Sequence, residues 1–140
     1  MATGPERILE SVHLGALNAN TEYSGWTNPF SEATDVYEIE HATFNQLDAI
    51  TGTATHNWGV FIDFVTTAGV HSTCIGSLAY QSGTNHTAYI ADDLTMASSG
   101  LQIAPNEGFN VRVVDGGTQP AMSADAKVDV ILVKGATSAA

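Results

Sequence analysis

Between residues 57 and 67 the chain reads NWGVFIDFVTT. On an extended backbone Trp58, Val60, Ile62 and Phe64 fall on one side, and Phe61, Asp63 and Val65 on the other. That two-residue period belongs to a strand with at least one face in a core. It is the strongest such run in the chain, so the segment is expected at the centre of a sheet.

The period recurs. Residues 35–44 (DVYEIEHATF) put Tyr37, Ile39, His41 and Thr43 on one face and Val36, Glu38, Glu40 and Ala42 on the other. Residues 72–81 (STCIGSLAYQ) set Cys74, Gly76, Leu78 and Tyr80 against Ile75, Ser77 and Ala79. Residues 87–93 (TAYIADD) read as a short strand, and residues 126–135 (AKVDVILVKG) as the last one. Residues 7–17 (RILESVHLGAL) fit a strand face through Ile8, Val12, Leu14 and Ala16, or a helical stripe through Leu9, Val12, His13 and Ala16. The β-branched residues and Gly15 favour the strand.

Residues 98–117 (SSGLQIAPNEGFNVRVVDGG) place a Pro and a Gly between two apolar runs, which excludes a helix there and predicts a turn at Glu107. Beyond it Phe109, Val111 and Val113 alternate with Asn110 and Arg112. Strands at this spacing, separated by turn residues, predict one domain over 1–140. It is expected to be an all-β, antiparallel, jelly-roll-like β-sandwich of seven to eight strands with little helix. Residues 18–34 are expected to form an aromatic loop, because Tyr23, Trp26 and Phe30 are spaced too irregularly for either period.

Composition narrows the function. Only 14% of residues are charged, and 15 acids against 4 Lys and Arg give a formal charge of −11. Such a chain is repelled by phosphate, which argues against nucleic acid and anionic membranes as partners. The acidity suits either solubility at high copy number or a saline habitat. No apolar run reaches the ~20 residues of a membrane helix, and the N-terminus lacks the pattern of a secretory signal, which predicts synthesis in a host cytoplasm. A lone cysteine, Cys74, excludes an internal disulfide and is expected as a small buried hydrophobe.

Catalytic patterns are missing at the level of spacing. His13, His41, His56, His71 and His86 are scattered, with no two at H-x-H or H-x3-H spacing, so no metal site and no cofactor are predicted. Cys74 with a histidine lacks the electropositive setting of an activated thiol. Glu38 and Glu40 share a strand face and suit a carboxylate pair or a calcium site, but a solvated outer face explains them too. Asp92 and Asp93 invite a cation without the spacing of a calcium loop. Asp63, if covered, requires a cationic partner, and Arg112 or a subunit neighbour is the expected one. No catalytic residue is predicted, and the chain is not expected to be an enzyme.

The pattern YIADDLTMASSGLQIAPNEGFNVRVVDGG, followed by AKVDVILVKG, covers roughly the last third of the chain. It resembles the C-terminal half of small β-sandwich decoration or cement proteins of tailed-virus capsids. The resemblance implies a homotrimer seated on the lattice of the viral major capsid protein, located in the virion. It also implies an N-terminal arm over residues 1–7, ending at Arg7, with contacts through that arm and through Tyr23, Trp26 and Phe30. From its own stretch, Arg112 is expected to pair acids within or between subunits. Two other readings compete. A carbohydrate- or receptor-binding module would stack sugars on Trp26 or Tyr80. A cupin-like metal enzyme would bring three histidines or carboxylates together on one ion at ~2.0–2.2 Å.

Overall fold

A computed structural model describes residues 6–14, 21–32, 34–53, 58–81, 83–115 and 125–134. The alternating segments form seven strands of seven to ten residues: β1 (Arg7–His13), β2 (Thr21–Thr27), β3 (Tyr37–Asn45), β5 (Trp58–Val65), β6 (His71–Tyr80), β11 (Gly108–Asp115) and β12 (Lys127–Lys134). Five two-residue strands fill the gaps: β4 (Ile50–Thr51), β7 (Asn85–His86), β8 (Asp92–Asp93), β9 (Thr95–Met96) and β10 (Gln102–Ile103). No helix occurs among the described residues.

Two five-stranded antiparallel sheets carry the fold. One runs β1-β12-β3-β10, with β8 also pairing β3; the other runs β2-β11-β5-β6-β9. The expected sandwich is therefore present, with β5 at the centre of its sheet. Its core lies between the inner faces: Val12, Ile39, Phe44, Val128, Val130 and Leu132 from the first sheet meet Val60, Ile62, Ile75, Phe109 and Val111 from the second. The five short strands raise the total among the described residues to twelve, above the seven or eight expected. Two-residue ladders are too brief to leave a periodic trace in the sequence.

Bulges explain where the simple alternation misleads. Between β2 and β11, Trp26 pairs Phe109 but Ser24 pairs Asn110, so Gly25 is an extra residue. The bulge turns both Tyr23 and Trp26 toward the core despite their three-residue spacing. The segment read as an aromatic loop over 18–34 thus contains an edge strand. A Cβ on Gly25 would lie 2.4 Å from the Phe109 carbonyl oxygen and 2.6 Å from its ring. Gly25→Ala is expected to cost about 2 kcal/mol of stability by urea unfolding, since backbone cannot yield there.

Glu40 is likewise an extra residue of β3, because Ile39 pairs Leu132 while His41 pairs Ile131. The phase changes, and His41 points to solvent while Ala42 and Phe44 enter the core. Ile75 is the extra residue of β6, between partners of Ile62 and Asp63. Ile75 turns inward and Cys74 outward, so the thiol expected to be buried is exposed.

The turn before β11 closes on itself. The Glu107 carboxylate accepts from the Ala104 amide at 2.8 Å, and the Glu107 carbonyl accepts from the Asn28 amide at 2.8 Å. Glu107 shapes a corner. The arm over 1–7 lies outside the described residues except for Glu6 and Arg7, and Arg7 opens β1.

Candidate contact surface

Two loops, 46–49 and 87–91, lie side by side. The Tyr89 amide donates to the Gln46 carbonyl at 3.1 Å, and Asn45 Nδ2 donates to the Tyr89 carbonyl at 3.2 Å. Beneath them sits a buried polar network. The Tyr80 hydroxyl donates to Asp92 Oδ2 at 2.5 Å, His86 Nδ1 shares that oxygen at 2.8 Å, and His86 Nε2 meets the Gln46 carbonyl at 3.2 Å. Gln46 Nε2 in turn donates to the Asp48 carbonyl at 2.7 Å. Phe44 packs edge-on against both Tyr80 and His86. Burial holds the Tyr80 hydroxyl far above the ordinary phenol range, reinforced by its hydrogen bond to Asp92.

On this foundation the loops present large apolar side chains outward. Tyr89 is 69% exposed, Ile90 57% and Leu47 42%. Tyr89 also holds φ at 63°, in the left-handed region that a bulky residue adopts only when its surroundings impose it. Residues 87–91, read as strand from sequence, are a turn: the Ile90 amide donates to the Thr87 carbonyl at 3.0 Å. An exposed aromatic and two aliphatics on cross-braced loops are suited to burial against another molecule.

The residues singled out from sequence are distributed differently. Arg7 is bidentate to Glu40 at 3.1 and 3.2 Å, which takes Glu40 out of any pair with Glu38. Asp92 and Asp93 diverge: the first serves the buried network, and the second meets His41 Nε2 at 3.0 Å. Trp26 packs edge-on against Tyr37, with ring centroids 5.3 Å apart, and Phe30 stacks on the same ring at 5.7 Å while staying 40% exposed. Tyr23 is half-buried against the core. Arg112 is bidentate to Asp63, with Nε to Oδ2 at 2.8 Å and the second nitrogen to Oδ1 at 3.3 Å. Its guanidinium also lies over the Phe61 ring at 4.7 Å.

Tyr80, a proposed sugar platform, is fully buried. A shallow cavity of about 470 Å³ does exist elsewhere, where Phe64 and Ile75 adjoin Ser72, Thr73, Ser99 and Gln102. The residues that sequence reasoning missed are Leu47, Tyr89 and Ile90. No periodic signal marks them, because their exposure depends on a turn held by groups from four strands.

No known protein-family profile matches the chain, and a search of curated proteins gives no significant match. Among solved structures, the chain is similar to a chain in the structure of infectious bursal disease virus, Gx strain, with a TM-score of 0.30 and 14% identity. That likeness covers 94% of this chain and 33% of the viral one, so this chain spans about a third of its length.

Proposed function

We propose that this chain is a non-enzymatic structural protein of a virion: a capsid decoration or cement protein that binds the major capsid protein as a homotrimer and stabilises the shell. The observation that carries this reading is the outward presentation of Leu47, Tyr89 and Ile90 on two loops hydrogen-bonded to each other. Apolar anchors on a braced backbone have less chain to order on binding. An all-β sandwich of this kind is compatible with a viral β-sandwich, and the acidic surface limits contact with packaged nucleic acid. The alternative sugar-binding reading is weakened, because Tyr80 is buried and Trp26 packs on Tyr37.

Co-sedimentation tests the proposal, using shells assembled from the major capsid protein of the virus this reading implies and lacking this chain. The wild-type chain is expected to saturate such shells in multiples of three. Tyr89→Ser with Ile90→Ser should weaken binding at least about tenfold without lowering the thermal midpoint. A wild-type chain that stays in the supernatant and scatters light as a 14.6 kDa monomer overturns the reading.

A further inference from the structure

The outer face of the second sheet carries a cluster that the contact surface does not use. Asp63 on β5 pairs directly with Asn110 on β11, and Arg112 on β11 pairs directly with Glu22 on β2. Directly paired residues project to the same side of a sheet. His71, at the start of β6, reaches Glu22 with Nδ1 to Oε1 at 3.1 Å. Since β11 and β5 lie between β2 and β6, this contact crosses above two strands. Glu22, Asp63 and His71 each bring one ligating atom within 4.8 Å of the others.

A second observation points into the same place. Asn110 is 5% exposed, yet among the described residues neither its amide nitrogen nor its oxygen has a hydrogen-bond partner. Leaving both groups of a buried amide unpaired costs several hydrogen bonds' worth of solvation, unless something else occupies the site. The charges agree: two carboxylates face one guanidinium. Arg112 takes one lone pair on each Asp63 oxygen and leaves another on each.

We propose that Glu22, Asp63 and His71 bind a divalent transition-metal ion of the zinc class, with Asn110 turned toward it and Arg112 fixing the Asp63 carboxylate. An imidazole with two carboxylates suits zinc or its neighbours, whereas calcium and magnesium prefer oxygen ligands throughout. The ligands come from β2, β5 and β6, so the ion ties an edge strand to the far side of its sheet. It is a structural clamp.

Chelator-treated protein titrated with Zn²⁺ by calorimetry, and with Co²⁺ by visible absorption, tests this. The wild type is expected to take up one equivalent, to shift its thermal midpoint upward with zinc, and to show a cobalt ligand-field band. His71→Ala and Glu22→Gln change exposed side chains. The first should abolish saturable uptake, and the second should weaken it at least about tenfold. His41→Ala, at the exposed pair with Asp93, should bind as the wild type does. No stoichiometric uptake by the wild type, undiminished uptake by His71→Ala, or a midpoint raised by calcium instead of zinc overturns the proposal.

Discussion

Arg112→Ala is expected to lower the unfolding free energy by about 3 kcal/mol. The substitution leaves the Asp63 carboxylate, whose side chain is 9% exposed, without the guanidinium that neutralises it. It also uncovers the Phe61 ring beneath Arg112. Asp63 lies on the central strand of its sheet, so the charge cannot swing out to solvent without disturbing the ladder to β11 and β6. Urea unfolding of the single variants and of Arg112→Leu with Asp63→Leu separates the terms. Each single change should cost more than the pair, because the double variant removes the orphaned charge as well as the ion pair. A loss below about 1 kcal/mol for Arg112→Ala would place Asp63 in water and refute the assignment.

Asp92→Ala is the second large change, expected to cost about 3 kcal/mol by the same measurement. One carboxylate oxygen serves both the Tyr80 hydroxyl and His86 Nδ1, so its removal withdraws the acceptor that two buried groups share. Tyr80→Phe removes the hydrogen bond to Asp92 and leaves no cavity, and should cost only about 1 kcal/mol. The ranking of the two variants is therefore the test: equal losses would mean that His86 does not depend on Asp92. The network also has a pH signature. The Tyr80 phenol is raised in the folded protein, while the unfolded chain ionises it near the ordinary value of about 10. Its contribution to stability is full below that pH and is lost as pH rises beyond it.

Much of this architecture can be read from residue order alone, and the exceptions share one cause. The run around Ile62 announces a central strand because both of its faces are covered, one by the core and one by the Asp63–Arg112 pair. That pair was itself legible: with four bases in the chain, few partners exist for a covered acid. Gly25, Glu40 and Ile75 are where the reading slips. Each is an extra residue in one strand of an antiparallel pair, and beyond each the inward and outward positions exchange. Such exchanges hid the strand character of β2, moved His41 outward and put Cys74 at the surface. The Glu22–His71 contact was hidden for a different reason. Its residues are 49 positions apart and meet across two intervening strands, an order within the sheet that the sequence does not reveal.

The pairing of β1 with β12 has a mechanical consequence. The two strands run antiparallel from Arg7 opposite Val133 to His13 opposite Lys127, and the Lys134 amide closes onto the Glu6 carbonyl at 2.8 Å. Glu6 and Lys134, the outermost described residues of this pair, thus meet at one corner of the sandwich. Tension between segments attached there would open this pair like a zipper, breaking its hydrogen bonds one after another and not all at once in shear. Each bond would then carry the load alone.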